Sequence, residues 1–177
     1  MNIYLMRHAN AGLSRRNPLL DVKRGLVKEG KEQCVLMALA LAAVNAQVDV
    51  VVSSPLKRAL QTAQFVATEI GVDSRVEINA ALSPEGDIGA FHQMLTDYEA
   101  RGLEGILAVG HNPNLYQFLG KLVTGNGGAN LRLRKAAIAR VDMERHPPQL
   151  QWMLDPRTVR ALYLSAAKSS RPKTSRK

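Results

Sequence analysis

Three short apolar segments of the chain end in polar residues, and this pattern restricts the folds that the chain can adopt. Helical patterns separate the three segments, as is typical of a parallel sheet with crossover helices. The carboxyl ends of neighbouring parallel strands meet at one edge of a sheet, where such folds bind ligands. We therefore expect the polar residues that follow these segments to meet in one site. They are Arg7-His8 after 2–6, Ser53-Ser54 at the end of 49–53 with Arg58 one turn later, and Gly110-His111 after 105–109.

The order of the remaining elements predicts a three-layer α/β/α domain with a mostly parallel sheet and an antiparallel edge. One further strand is expected over 76–78. An antiparallel pair is expected over 137–143 and 150–154, on either side of the His146-Pro147-Pro148 turn. The predicted helices cover residues 28–44, 55–70, 88–100, 114–123 and 156–167.

Local signals set the expected ends of these elements. Ser54-Pro55 has the pattern of an N-cap followed by proline in the first helical turn. Gly71 is expected to end that helix, and Asp87 to cap the next one. Glycines and a proline within residues 9–27 predict a long loop there.

The composition limits the class of protein. The chain has 177 residues, which corresponds to one domain over residues 1–167, and 46% of its residues are hydrophobic. A single cysteine, Cys34, excludes a disulfide framework and a cysteine-rich zinc site. The longest apolar run, 34–44, is too short to cross a bilayer, and no targeting segment is visible. We expect a cytoplasmic monomer with no membrane contact.

More than half of the net positive charge comes from the last ten residues. The formal net charge is +9, and the segment 168–177 contributes five positive charges and no acid. We expect this tail to be disordered, because it has no large apolar side chain to bury. It is either a solvated extension or an electrostatic contact for nucleic acid or an acidic partner. No aromatic residue lies among the basic ones, which disfavours nucleic acid.

The residues expected to meet at the sheet edge have the chemistry of a phosphate site. The guanidinium groups of Arg7 and Arg58 can each hold two phosphate oxygens. His8 and His111 would add two further groups that can carry positive charge. Helix N-termini after Ser54 and near Asn112 would add backbone N–H donors. Such a concentration of cations is costly unless an anion occupies it, so the sequence predicts a phosphoryl ligand.

His8 can also act as a nucleophile. A neutral imidazole attacks phosphorus, and the neighbouring Arg7 and Arg58 disfavour its protonation. The product would be a phosphoramidate on His8, which water would hydrolyse in a second step. The arginines and His111 would stabilise the charge that develops on the phosphoryl oxygens.

Other phosphate and hydrolase motifs are absent from the sequence. There is no GxxxxGK[ST] loop, no GxGxxG and no GxSxG, and the four histidines lack HExxH spacing. Because the protein itself supplies the cations, we expect no metal and no cofactor.

These motifs resemble those of the histidine phosphatase superfamily, the fold shared with phosphoglycerate mutase. LMRHANAG is similar to the Arg-His-Gly start of that family, SSPLKRALQTA to its second-arginine motif and VGHNP to its second-histidine motif. The resemblance covers roughly residues 2–155. It implies that His8 is the phosphorylated nucleophile and that Arg7, Arg58 and His111 complete the phosphate pocket. We assign substrate binding to Asn10, Ser54 and Asn112, which flank them.

Within the superfamily, the chain is most similar to the small bacterial phosphohistidine phosphatases of the SixA type. The segment 24–30 resembles their Arg-Pro-Leu-Thr-x-x-Gly segment, and 82–87 resembles their Leu-x-Pro-x-Gly-Asp loop. Two positions depart from the superfamily. Ala9 replaces a glycine, and alanine permits fewer backbone conformations in the turn than glycine does. Pro84 aligns with the glutamate that serves mutase-like branches as general acid, while Glu85 is adjacent but out of register.

The sequence therefore predicts a phosphatase of a histidine-phosphorylated protein, such as a phosphotransfer domain, that works through phospho-His8. An imidazole leaves phosphorus more easily than an alkoxide does, so this reaction suits a site without a dedicated acid. One alternative is a small-molecule phosphomonoesterase with Glu85 as general acid. The other is a non-catalytic module that binds phosphate or nucleic acid.

Overall fold

A computed structural model describes residues 1–126 and 129–169, and these residues form an α/β domain around a six-stranded sheet. Glycines 127 and 128 and most of the basic tail, 170–177, lie outside the described residues. The strands are β1 (Asn2–Arg7), β2 (Val50–Ser53), β3 (Val76–Ile78), β4 (Gly105–Gly110), β5 (Ile138–Asp142) and β6 (Gln149–Leu154).

The strand order places the three polar strand ends side by side. The order across the sheet is β3-β2-β4-β1-β5-β6, so that β4 lies between β2 and β1 and is parallel to both. Arg7 pairs with Gly110, and Ser53 pairs with Val109, so the three strands end at the same level. β5 and β6 form the antiparallel edge. The predicted fold class is confirmed.

Helices cover both faces of the sheet. They are α1 (Pro18–Val22), α2 (Lys28–Ala43), α3 (Lys57–Glu69), α4 (Ile88–Ala100), α5 (Asn114–Thr124) and α6 (Pro156–Ser169). Side chains alternate between the faces of a strand, so Ile3 and Leu5 pack with residues of α4 and α5, while Tyr4 and Met6 pack with residues of α2 and α3. The sheet is therefore packed between two apolar cores.

Several predicted element ends agree with the structure. The Asp87 side chain accepts a hydrogen bond from the Ala90 N–H at 2.8 Å and caps α4. Gly71 follows α3 with a φ of +76°, a conformation that glycine adopts without strain. The end of α6 differs from the prediction, because the helix continues to Ser169, so that Lys168 and Ser169, which were expected in the disordered tail, are helical.

Two predictions for this region are wrong. Ser54 is not the N-cap of α3, because the helix begins at Lys57 and its N-cap, Leu56, makes no side-chain capping bond. The Ser54 hydroxyl is engaged by a histidine instead, as described below. Residues 9–27 are not loop throughout, because α1 forms within them, with Asn17 as its N-cap and Pro18 in its first turn. No helix among the described residues is long and apolar enough to cross a membrane.

Candidate active site

The loops after β1, β2 and β4 bring the two histidines together. The His8 N–H donates to the Gly110 carbonyl at 3.0 Å, and the Ser54 N–H donates to the Val109 carbonyl at 3.0 Å. These bonds extend the strand pairing by one residue. The ring centroids of His8 and His111 are consequently 5.0 Å apart, although more than one hundred residues separate them in the sequence.

The surroundings of His8 fix which of its nitrogens can react. Its Nδ1 lies 2.8 Å from the Ala9 carbonyl oxygen, which can only accept a hydrogen bond. Nδ1 therefore carries the proton, and Nε2 keeps the lone pair when the ring is neutral. The tautomer is the one that a nucleophilic Nε2 requires.

The turn that holds the Ala9 carbonyl is tied to α3 by Thr62. The Ala9 N–H donates to Thr62 Oγ1 at 3.0 Å, and that hydroxyl donates to the Arg58 carbonyl at 2.7 Å. Ala9 is buried and does not have a positive φ, so its methyl group fits the turn without backbone strain. Sequence reasoning missed Thr62, although it lies one helical turn after Arg58.

Both histidines are neutral at physiological pH. Burial lowers the pKa of His8 to about 3, and the positive charges of Arg58, Arg7 and Arg24 act in the same direction. Burial also lowers the pKa of His111 to about 3, with His8 and Arg58 adding to the effect. The arginines were expected to keep His8 neutral, but burial is the larger cause.

Arg58 is buried and paired with a carboxylate that the sequence analysis did not identify. Its Nη1 donates to the Asp21 carbonyl at 3.1 Å and lies 3.3 Å from Asp21 Oδ2. Asp21 belongs to α1, and Arg24 holds the same carboxylate through Nε at 2.8 Å. Arg24 also donates to the carbonyls of Ala11 and Gly12 and so joins the segment after α1 to the segment after β1.

The charges around Arg24 shift the pKa values of Asp21 and Arg58. The hydrogen bond from Arg24 is the main reason why the pKa of Asp21 is lowered to about 2. Burial lowers the pKa of Arg58, and Asp21 partly offsets that effect. Arg24 opened the segment that resembled the SixA-type proteins, but the sequence did not reveal its contact with Asp21.

Arg7 and Asn112 share one backbone anchor. Arg7 Nη1 donates to the Leu133 carbonyl at 3.1 Å, and Asn112 Nδ2 donates to the same oxygen at 2.9 Å. The segment before β5 thus sets the orientation of two predicted site residues. No sequence pattern indicates Leu133, because its contribution is a carbonyl group rather than a side chain.

Four polar side-chain atoms in the described part of the chain are buried without a hydrogen-bond partner, and all four belong to predicted site residues. They are Arg7 Nε, Arg58 Nε, His111 Nδ1 and Asn112 Oδ1. Buried polar atoms are almost always paired in native proteins, since leaving one unpaired costs about 1–3 kcal/mol. The two guanidinium nitrogens are donors, so this arrangement is suited to an oxyanion.

Ser54 positions His111. Ser54 Oγ lies 2.9 Å from His111 Nε2 and accepts a hydrogen bond from the Leu56 N–H at 3.3 Å. The serine hydroxyl can then donate its proton to Nε2, which leaves Nδ1 as an N–H donor. That unpaired Nδ1 would be free to bind a ligand oxygen.

Asn10 is held by its neighbours. Its Nδ2 donates to Glu29 at 2.6 Å, and its Oδ1 accepts from Lys135 Nζ at 2.8 Å and from the Gly12 N–H at 3.1 Å. A Cβ atom on Gly30 would overlap the Asn10 carbonyl oxygen, so only glycine lets α2 approach the turn this closely. The structure places Asn10 at the rim, and its side chain organises that rim.

Glu85 lies exposed in the loop after β3. Asn114 Nδ2 holds this loop through the carbonyls of Ser83, Pro84 and Gly86 at 3.2, 3.0 and 2.6 Å. The Glu85 charge is close enough to raise the pKa of Arg58, against the larger effect of burial. Glu85 thus borders the site without a direct contact. No group of three metal-ligating side chains is found among the described residues.

Comparison with known proteins identifies the family. Residues 3–118 match the model of the histidine phosphatase superfamily, branch 1. An uncharacterized protein of Picosynechococcus is 32% identical over 139 residues, which cover 78% of this chain and 82% of the relative. The chain belongs to the histidine phosphatase superfamily and is a phosphatase.

Two further matches are phosphohistidine phosphatases. SixA of Escherichia coli is 29% identical over 125 residues, which cover 71% of this chain and 76% of SixA. The structure of the protein histidine phosphatase SixA complexed with tungstate has a TM-score of 0.79 and 27% identity, covering 88% of this chain and 97% of the other. The chain is therefore similar to SixA along most of its length.

Proposed function

We propose that this protein hydrolyses phosphohistidine on another protein, such as a phosphotransfer domain, through a phosphoryl group carried by His8. The observation that carries the proposal is the set of unpaired buried atoms around the two histidines. An oxyanion would give Arg7, Arg58 and His111 the partners that they lack. The tungstate complex of SixA supports this interpretation, because tungstate is a tetrahedral oxyanion like phosphate.

The first step transfers the phosphoryl group to His8. The lone pair of Nε2 forms a bond to phosphorus while the bond from phosphorus to the substrate imidazole breaks. The departing nitrogen keeps that electron pair, and the substrate histidine leaves neutral if its other nitrogen has first taken a proton from water. The hydrogen bond from Nδ1 to the Ala9 carbonyl stabilises the positive charge that His8 gains as it is phosphorylated.

The second step releases inorganic phosphate. A water oxygen attacks phosphorus, the bond to Nε2 breaks, and its electron pair returns to His8, while the water proton passes to solvent. Arg7, Arg58 and the His111 Nδ1–H bind the non-bridging oxygens in both steps. Ser54 acts as a positioning residue, because its hydroxyl selects the His111 tautomer.

The leaving group distinguishes this reaction from ester hydrolysis. An alkoxide needs a proton in the transition state, and Pro84 stands where mutase-like branches carry a glutamate. Imidazole leaves without such an acid, so the site as built suits phosphohistidine. The alternative, a small-molecule phosphomonoesterase, rests on Glu85 in the loop after β3, whose negative charge acts to raise the pKa of Arg58.

A comparison of substrates tests the proposal. The wild-type protein and the His8→Ala and Glu85→Gln variants are assayed with a phosphorylated phosphotransfer domain and with a panel of phosphate monoesters. We expect the phosphoprotein to be hydrolysed orders of magnitude faster, with full activity in Glu85→Gln and none in His8→Ala. A preferred ester whose turnover falls in Glu85→Gln would establish the alternative.

A further inference from the structure

A strongly basic cavity of about 570 Å³ adjoins the proposed phosphate site. Arg7, Asn10 and Asn112 form the wall that the cavity shares with that site. The segment before β5 and the start of α6 form another part of the lining. The cationic side chains of this part are Arg132, Arg134, Lys135, Arg157 and Arg160.

The carboxylates in the cavity are already engaged. Glu29 accepts hydrogen bonds from Asn10 and Gln33. Asp155 caps α6 by accepting from the N–H groups of Arg157 and Thr158, and it lies 3.6 Å from Arg134. Six cationic side chains and two carboxylates line the cavity, so it keeps an excess of four positive charges.

Three of the arginines have no acidic partner. Within residues 1–126 and 129–166, no carboxylate lies within ion-pair distance of Arg132, Arg157 or Arg160. All three are exposed, and Arg157 and Arg160 lie on the same side of α6, three residues apart. Like charges facing one concave surface repel each other and attract anions.

The cavity is continuous with the proposed reaction site through the Leu133 carbonyl. Arg7 and Asn112, which line the cavity, both donate to that oxygen, and Arg132 and Arg134 flank Leu133 in the sequence and also line the cavity. A substrate with its phosphoryl group on His8 would therefore present its adjacent groups to these cations.

We propose that this basic cavity binds acidic side chains next to the phosphohistidine of the substrate protein. The inference rests on the proposed function and names the feature that would select among phosphoproteins. The volume is much larger than one phosphoryl group fills and lies in the range of about 300–1,000 Å³ typical of ligand sites. Small-ligand sites are mostly apolar, whereas protein interfaces are enriched in arginine and have a polar rim.

Two matched peptides test this specificity. Both carry one phosphohistidine, and one has aspartates on either side of it where the other has asparagines. We expect wild-type kcat/KM to be about tenfold higher for the aspartate peptide, mainly through KM, as two or three exposed charge pairs would provide. The preference should shrink as salt is added, because exposed charges are screened.

Variants locate the preference in the cavity. Arg132→Ala combined with Arg160→Ala should remove the preference and leave the rate for the asparagine peptide unchanged. The control is Arg145→Ala, because Arg145 is 71% exposed, pairs loosely with Asp142 and does not line the cavity. This control should keep the full preference.

The outcomes separate the two proposals. Equal wild-type rates for the two peptides would overturn this inference alone, as would a double variant that keeps the preference. Failure to hydrolyse either peptide would also overturn this inference, whereas failure to hydrolyse the phosphorylated phosphotransfer domain would overturn the proposed function and this inference with it.

Discussion

Replacing Arg58 with alanine should lower turnover of phosphohistidine by about 10²–10³-fold, as removal of one preorganised donor to a developing oxyanion does in other enzymes. The guanidinium is buried, and its Nε has no protein partner. The Nε–H group can therefore donate a hydrogen bond to a phosphoryl oxygen. Arg58→Lys keeps one positive charge but lacks the planar fork, so its loss should be intermediate.

The same substitution should have little effect on the fold. Asp21 loses one partner at 3.3 Å but keeps Arg24 at 2.8 Å, so no buried carboxylate is left unpaired. Removing Arg58 also relieves its repulsion with Arg24. We expect the free energy of unfolding to fall by about 1 kcal/mol, which corresponds to a fall in Tm of about 2–4 °C for a domain of this size.

Steady-state kinetics and thermal unfolding of the same samples separate the two effects. Arg145→Ala serves as the control for loss of an arginine away from the site. A loss of activity below tenfold in Arg58→Ala, with an unchanged Tm, would refute the role of Arg58 in binding the phosphoryl group.

Three further predictions concern stability and metal dependence. Because the folded-state pKa of His8 is about 3, the unfolded chain binds more protons between about pH 3 and 6.5, so the free energy of unfolding should decrease as pH falls through that range. His8→Ala should make urea unfolding less dependent on pH there, and an unchanged slope would contradict the depressed pKa. Gly30→Ala should lower the free energy of unfolding by about 1–3 kcal/mol, because the added methyl group overlaps the Asn10 carbonyl. A Tm equal to that of the wild type would contradict this prediction, because it would show that α2 shifts without cost. Chelation with EDTA should leave the rate unchanged, and loss of activity restored by added metal would contradict this prediction.

The parts of the fold that follow from local patterns were predictable from the sequence. The apolar strands are continuous runs, because they are buried on both faces, and helices such as Ile88–Ala100 have both a recognisable cap and helical spacing. Parallel pairing then required the ends of β1, β2 and β4 to meet. The proximity of His8 and His111 follows from this topology.

The parts that depend on tertiary contacts were not predictable. α1 has five residues, too few to show a helical period, so its carboxylate at Asp21 could not be placed beside Arg58. Ser54 matched the pattern of an N-cap, but its hydroxyl faces a histidine that lies 57 residues away in the sequence. The basic cavity joins side chains from the two ends of the chain, and no local pattern relates Arg7 to Arg160.

The most direct test of the account is to look for the phosphoryl group on His8 during turnover. The wild-type protein and His8→Ala are mixed with a phosphorylated phosphotransfer domain, quenched rapidly in alkali and analysed by mass spectrometry of their peptides. The covalent mechanism predicts a transient phosphoryl group on the peptide that contains His8, formed and lost at rates compatible with turnover. Turnover without that species, or an active His8→Ala variant, would contradict the covalent mechanism.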